Sequence, residues 1–447
     1  MVALAGRMKR QQQEVIEYRS RHSAMRISAL WLLLATTGVL AAGSLASGQT
    51  APSGGTVRIM RNDVDKLPSV QQLPDPFVFS DGTRVKAPRE WGRRRAELLE
   101  LVLSYEYGHL PPVPRPGAVT AAPAPDYALP PRRRPSAGSQ PSITLPEGSR
   151  QEKLLVTVTR RGHDRKVEFP LLLHVPPGKG PFPVVIRGDL CWGPVRGEVV
   201  SDALSRGYML AEFDRTKIVP DRKGPRTGGA YAVYPEGRFG GLAAWAWGYH
   251  RVVDCLVRRK EVDRKKIIVT GHSRGGKAAL LGGATDERIA LTVPNNSGCG
   301  GAGCYRFQAA GSEDLGAITQ RFPYWFEARF REFAGKEDRL PIDQHSVKAL
   351  VAPRGLLTME ALGDRWANPE GTQQTHQAAR EVYEFLGAGE GIAIHFREGK
   401  HEQSRADWQT LLDFADQLLR GRPRPGKFNR LAFPKSERIW SWSAPAK

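Results

Sequence analysis

A wound α/β fold built on a largely parallel sheet is what this 447-residue sequence predicts, and three observations carry the prediction. Short β-rich runs alternate with helix-like segments from Lys153 onward, an order that winds strands into a mostly parallel sheet with helices on both faces, a three-layer sandwich. Two of those runs, Pro183–Gly188 and Tyr208–Phe213, are mostly apolar, as strands covered on both faces tend to be. A serine flanked by glycines stands between a predicted strand and a predicted helix. With 40% hydrophobic and 25% charged residues, the composition is globular, which excludes a disordered chain and a multispanning membrane protein.

In chain order, Ile27 to Ala42 (ISALWLLLATTGVLAA) form an uncharged run after Arg26, followed by small residues ending Ala46-Ser47-Gly48. That pattern predicts a secretory signal peptide over residues 1–48. The run is shorter than the ~20 apolar residues that cross a bilayer. A secreted or periplasmic protein with no stable membrane anchor after cleavage is therefore expected. Residues 1 to 24 overextend the leader, and Met25 is the better first residue of an ordinary signal. Residues 49–447 are expected to form one domain. Within it, Leu98, Leu99, Val102 and Leu103 recur at helical spacing and predict an amphipathic helix over Trp91–Leu110. Residues 111–150 are dense in proline and contain Arg132-Arg133-Arg134; because proline removes both helix and ladder donors, a loop or insert is expected there. Strands are predicted at Leu154–Thr159, Val167–Val175, Pro183–Gly188, Tyr208–Phe213, Ile267–Thr270, Leu356–Leu362 and Ile392–Phe396. Helices are predicted over Leu242–Arg259, from about Lys277, and over Asp407–Leu419.

The net charge of +20 invites a nucleic-acid reading, yet no helix-turn-helix cue, zinc-finger spacing or aromatic RNA-binding motif accompanies it. No nucleic-acid partner is expected. An acidic polysaccharide would benefit from such a field, although net charge governs encounter rather than chemistry. Four cysteines, Cys191, Cys255, Cys299 and Cys304, allow three pairings in an oxidising compartment and are read as structural or free. Cys299-Gly-Gly-Ala-Gly-Cys304 lacks a second Cys/His pair at ligand spacing, so neither a metal site nor another cofactor is expected.

The chemistry is carried by Gly271-His272-Ser273-Arg274-Gly275, a complete G-x-S-x-G between strand and helix. This is the context of the nucleophile elbow of the α/β-hydrolase fold, whose sharp turn the two glycines permit. Otherwise Ser273 would be an ordinary helix cap. A hydroxyl nucleophile needs a base, and the base an orienting acid, which follow in this fold in the order Ser, Asp/Glu, His. Asp364 follows a predicted strand, and His401 lies between the last strand and last helix. Their bland alternatives are a solvated turn residue and a surface histidine. His345, His376 and His395 fit the topology less well.

Over most of the chain after the leader, the sequence resembles the glucuronoyl esterases, carbohydrate esterase family fifteen, of bacterial type. The resemblance runs through LPDPFVFSDGTRV, YGHLPP, FGGLAAWAWG, VTGHSRGGKAALLGGATDERIAL, NNSGCGG, RFPYWF, LPIDQH, LVAPRG, DRWANPEG and the GKH and DW pair. It implies a serine esterase that cleaves, through an acyl-enzyme, the ester joining a 4-O-methyl-glucuronoyl group of glucuronoxylan to an alcohol, either a lignin-carbohydrate ester or a methyl ester. By the same resemblance Ser273 is the nucleophile, His401 the base and Asp364 the acid. Asn296 stands where some members, fungal ones included, carry a glutamate, and an amide cannot be an anionic orienter. His272 replaces the cysteine of the fungal elbow, which rules out a disulfide there. The Arg274 backbone N–H is the expected oxyanion donor, with its guanidinium assisting; the bland alternative is a surface arginine at a helix start. Lys277, four residues past Ser273, matches a lysine that binds sugar hydroxyls, and Glu313 aligns with a sugar-binding glutamate. Trp366 matches a tryptophan that contacts the uronate, against a role in core packing. The second oxyanion donor is expected from the loop after Pro183–Gly188, where Asp189, Leu190 and Cys191 depart from the family pattern. Two other readings remain: an acetyl or feruloyl xylan esterase on the same triad, and a non-catalytic secreted glycan-binding homologue.

Overall fold

The computed structural model describes residues 62–131, 144–423 and 428–446. The expected leader over residues 1–48, with Met25, lies outside them, as does Arg132-Arg133-Arg134. Among the described residues nine strands form one sheet: β1 (Val119–Pro123), β2 (Arg150–Thr159), β3 (Lys166–Val175), β4 (Phe182–Arg187), β5 (Met209–Phe213), β6 (Val262–His272), β7 (Ile289–Asn295), β8 (Gly355–Ala361) and β9 (Ile392–Arg397). Their spatial order is β1-β2-β3-β5-β4-β6-β7-β8-β9. The β1–β2, β2–β3 and β3–β5 pairings are antiparallel, and every pairing from β5 to β9 is parallel.

Strand side chains alternate between faces, so a sheet covered on both sides needs apolar residues at consecutive positions. The central strands show this. Val184, Ile186, Met209, Ala211, Ile267 and Val269 pack in one core layer, while Val185, Leu210, Ile268 and Leu291 pack in the other. Burying each such side chain stabilises the fold by about 1.5–3 kcal/mol. The first layer is closed by the helices Gly241–Leu256, which contributes Trp245 and Trp247, and Arg274–Thr285, which contributes Ala278 and Leu281. The second is closed by Gly197–Ser205 and Arg405–Arg420, through Val200, Leu204, Trp408 and Leu411. The last helix begins at a capping box between Ser404 and Asp407 and ends on Gly421 in the left-handed conformation.

The differences from the sequence reading have local causes. The segment expected to be a loop at 111–150 holds β1, an edge strand in which Pro123 is tolerated at the end. Strand β7 escaped notice because Pro294 interrupts an otherwise strand-like run. The helix Pro369–Phe385 was missed because its buried face includes Thr372, Gln373, Gln374, Thr375 and His376, not an apolar stripe. The helix expected over Trp91–Leu110 stops at Val102 and widens into a π turn over Leu103–Tyr107. All four cysteines are free.

That π turn ties the N-terminal helix to the loop after β7. Glu106, fully buried, accepts from the Tyr305 hydroxyl at 2.5 Å and from Gln344 Nε2 at 2.7 Å, and the Tyr107 hydroxyl donates to Gly300 O at 3.1 Å. Burial raises the Glu106 carboxyl to about 7, against hydrogen bonds that favour its anion. A carboxyl whose folded value lies above its unfolded one contributes stability that is complete below the unfolded value and is lost as pH rises through about 7. Glu106→Gln removes that titration. Its melting temperature relative to wild type is expected to climb between about pH 5 and about pH 8, and a constant offset across that range would refute the assignment.

Candidate active site

The chain leaves β6 at His272, turns on Ser273 and enters the helix Arg274–Thr285 at once. Ser273 has φ 56° and ψ −123°, a conformation that costs a residue with a Cβ about 1–3 kcal/mol. Close approach explains the glycines on either side. A Cβ on Gly271 would lie 2.3 Å from Gly275 O, and one on Gly275 would lie 1.9 Å from Asp189 Oδ1. The helix therefore starts three residues before the expected Lys277, and the Ser273 side chain makes no capping hydrogen bond, which removes the reading of an ordinary cap.

His401, in the loop after β9, shares a hydrogen bond of 2.5 Å between its Nδ1 and Asp364 Oδ2. Asn296, at φ 45° just past β7, donates from Nδ2 to the same Asp364 oxygen at 2.8 Å. Burial opposes the charge on Asp364, but the bond to His401, its charge and the Asn296 amide outweigh burial and hold the carboxyl below its ordinary value. With Nδ1 committed to Asp364, Nε2 is the ring nitrogen left for exchange with substrate. No hydrogen bond joins the Ser273 hydroxyl to His401 in this structure, yet both side chains line one cavity. The His272 ring lies 4.5 Å from the His401 ring, centroid to centroid, and its Nδ1 is bonded to Asn295 Oδ1 at 2.7 Å. Burial, with His401 nearby, lowers His272 to about 4, so it stands neutral beside the other imidazole.

Two cavities meet at Ser273, Arg274 and His401. The smaller, about 190 Å³, is polar and includes Lys277, Glu313, Trp325 and Trp366 in its walls. The larger, about 560 Å³, is faced by Trp192, Pro194, Val195 and Trp408. In the smaller cavity Lys277 Nζ donates to Ser297 O at 2.5 Å and also to Cys299 O. Burial pushes the Lys277 ammonium down and the Glu313 carboxyl up, each partly opposed by the other's charge. The Arg274 guanidinium is held by Asp221 Oδ2 at 3.0 Å and lies over the Phe322 and Trp325 rings, while its buried Nε has no partner. This is a site able to activate a hydroxyl, hold an oxyanion and hydrogen-bond a polyhydroxylated acyl group. Among the described residues no cluster of His, Cys, Asp and Glu could hold a metal ion.

A family model described as glucuronyl esterase, fungi, matches residues 156–387. The chain belongs to the glucuronoyl esterase family. It is a carboxylic ester hydrolase with an α/β-hydrolase core. A 4-O-methyl-glucuronoyl methylesterase of Podospora anserina is 32% identical over 365 residues, covering 77% of this chain and 68% of that one. A carbohydrate esterase family 15 glucuronoyl esterase from Caldicellulosiruptor kristjansonii superposes with a TM-score of 0.69 at 31% identity, over 86% of this chain and all of the other. The glucuronoyl esterase from Sporotrichum thermophile, a serine-to-alanine mutant in complex with methyl 4-O-methyl-β-D-glucopyranuronate, gives a TM-score of 0.63 at 28% identity, over 80% of this chain and 90% of that one.

In this family member the geometry places Ser273, Arg274, Lys277, Glu313, Trp366 and His401 in the walls of one cavity, with Asp364 bonded to His401 from behind. Trp366 is 47% exposed, so it is a rim residue and not core packing. The loop after β4 puts Trp192 on the larger cavity, while the Asp189 carboxylate turns inward to accept from His272 N at 2.9 Å and from Arg215 at 2.5 Å. Sequence reasoning missed Asp221, Arg215 and the donor role of Asn296, because none sits in a motif with a fixed spacing. Phe322 and Trp325 were visible in RFPYWF, but nothing in that string says that they carry an arginine. The carboxylate under Gly275 makes a further prediction. Gly275→Ala is expected to lower stability by roughly 2 kcal/mol or more and to cut ester turnover, read by melting temperature and rate; wild-type values of both would show that the turn relaxes freely.

Proposed function

We propose that this esterase hydrolyses the ester between a 4-O-methyl-glucuronoyl group of glucuronoxylan and an alcohol, with Ser273 as nucleophile, His401 as general base and Asp364 as its orienting acid. The observation that carries the reading is the Asp364–His401 bond beside Ser273, in a cavity that also holds a buried lysine and glutamate. His401 takes the Ser273 proton, and the oxygen attacks the ester carbonyl as the hydroxyl closes on the imidazole with substrate bound. The Arg274 backbone N–H and guanidinium stabilise the resulting oxyanion. The imidazolium, stabilised by Asp364, returns the proton to the departing alcohol. Water then repeats the sequence on the acyl-enzyme and releases the uronate.

The two cavities divide the ester. Lys277, Glu313 and Trp366 hold the uronate in the polar one. Buried polar groups there lose hydrogen bonds when a substrate lacks the matching hydroxyls, which disfavours an acetyl group. The alcohol leaves through the larger cavity past Trp192. We further infer, from the run at Ile27–Ala42, that the enzyme acts outside the cytoplasm as one domain over residues 49–447. No described helix is long and apolar enough to cross a membrane.

Ser273→Ala is expected to lower kcat on benzyl glucuronate by about 10⁴ or more, and Asp364→Asn by about 10³ to 10⁴ with little change in KM. Near-wild-type turnover by either variant, or a wild-type preference for acetylated xylan, would overturn the assignment. Trp192→Ala is expected to raise KM for benzyl glucuronate by about 10-fold while the methyl ester is turned over at the wild-type rate, because only the larger alcohol reaches the indole. Equal losses on both esters would place the alcohol elsewhere.

A further inference from the structure

The turn Phe322–Trp325 has two sides. Phe322 and Trp325 line the small cavity at Ser273, whereas Pro323 and Tyr324, between them, line a separate cavity of about 1080 Å³. The Tyr324 hydroxyl bonds Asp221 Oδ1 at 3.0 Å, and Asp221 is the carboxylate that holds Arg274. The two cavities thus share a wall. Arg222, Lys223, Arg226 and Arg238 line the larger one, and all four are exposed.

Their contacts are with backbone carbonyls and a ring. Lys223 Nζ donates to Gln320 O at 3.3 Å, and Arg226 donates to Gly237 O and Phe239 O while lying 3.9 Å from the Tyr231 ring centre. Arg222 and Arg238 make no hydrogen bond or ion pair among the described residues, and none of the four faces a carboxylate partner there. The acidic residue in the lining, Glu327, accepts instead from Arg329 N at 2.9 Å. A fifth basic residue of the lining, Arg329, is paired with Glu332 and Asp63, but the other four like charges repel one another, and an anionic ligand converts that repulsion into attraction. Tyr231 and Phe326 are buried, which leaves the partly exposed Tyr324 ring as the aromatic face in this lining.

We propose that this cavity is a second carbohydrate site, which takes a free uronate carboxylate of an acidic glycan while an esterified uronate of the same chain occupies the cavity at Ser273. The inference rests on the proposed esterase reading and adds a preference for substrates bearing more than one uronate. The volume accommodates several sugar rings, since ligand cavities of about 300–1,000 Å³ are the common range.

Titration calorimetry on the full chain separates the two ideas. De-esterified xylo-oligosaccharides of equal length carrying two, one or no free uronates are compared on wild type and on the triple variant Arg222→Ala/Lys223→Ala/Arg238→Ala. Wild type is expected to bind the two-uronate ligand about 10-fold tighter than the one-uronate ligand, with the advantage shrinking between about 50 mM and about 500 mM NaCl. The triple variant should bind both equally and keep wild-type kcat/KM on methyl glucuronate. A retained advantage in the variant, no advantage in wild type, or equally tight binding of a single-stranded oligonucleotide that the same substitutions abolish would overturn the second site. Failure of the esterase reading shows separately, as absence of methyl glucuronate turnover in both proteins, and leaves the binding comparison readable.

Discussion

Everything at the site hangs from a carboxylate that never meets solvent. Asp189 lies under the elbow, where one oxygen accepts the His272 backbone N–H and the other is paired with the fully buried Arg215. Two charges without water are costly unless each is paired, and breaking such a pair from one side costs about 3–5 kcal/mol. The pairing does not end there. Arg215 lies over the Trp192 and Trp245 rings and within 3.7 Å of Asp221, and Asp221 fixes the Arg274 side chain and the Tyr324 hydroxyl. The strained serine, the arginine beside it and the aromatic turn across the cavity therefore share one buried chain of alternating charge. Gly275 is the steric condition for the arrangement, because any side chain there would occupy the place of the Asp189 oxygen.

The second feature is how charge is kept from accumulating around the base. In the proposed reading His401 accepts a proton, and a cation at its ring would resist that. The ring nearest to it, His272, is held neutral by burial, and its Nδ1 is spent on Asn295. The cations in the cavity wall, Arg274 and Lys277, are each tied down, by Asp221 and by the carbonyls of Ser297 and Cys299. The negative charge on Asp364 is kept by the imidazole and by the Asn296 amide together. An asparagine at position 296 thus acts on the acid as a hydrogen-bond donor, where a glutamate would bring a second carboxylate close to Asp364.

The legible parts of this molecule were those with a fixed period or a fixed spacing. Apolar strands such as Pro183–Gly188 reveal themselves because both faces are buried, and G-x-S-x-G reveals itself because only glycine permits that turn. The order Ser, Asp/Glu, His is a topological rule of the fold, so Ser273, Asp364 and His401 could be named as candidates without coordinates. What stayed hidden depends on contacts between distant segments. Strand β7 carries a proline, the Pro369–Phe385 helix buries polar residues whose partners lie elsewhere, and the pairing of Asp221 with Arg274 spans 53 positions. A charged residue in a loop looks solvated in sequence whether or not the fold closes over it. Asp189 was noticed only as a departure from a pattern, and its carboxylate is the best-buried acid at the site.

The arrangement of the cavities follows from the same turn-and-pair logic. A polar cavity of about 190 Å³ is too small for more than the acyl sugar, so the remainder of any polymeric ester must lie outside it. The cavity that meets it at Ser273, Arg274 and His401 is one place for that remainder, and a separate cavity lies behind another of its walls. The Trp192 side, reached past Ser273 and His401, sets the indoles of Trp192 and Trp408 among Arg187, Arg196 and Arg405, and those indoles give an alcohol group a face to pack on. The separate cavity across the Phe322–Trp325 turn carries the exposed cations on which the proposed second site rests. An ester has an acyl side and an alcohol side, and the reacting carbonyl sits between them. In the proposed reading Ser273 stands where a small polar cavity and a larger one bearing two indoles meet, and this distinguishes the two sides before any bond is broken, because swapping them would leave the buried lysine and glutamate unsatisfied.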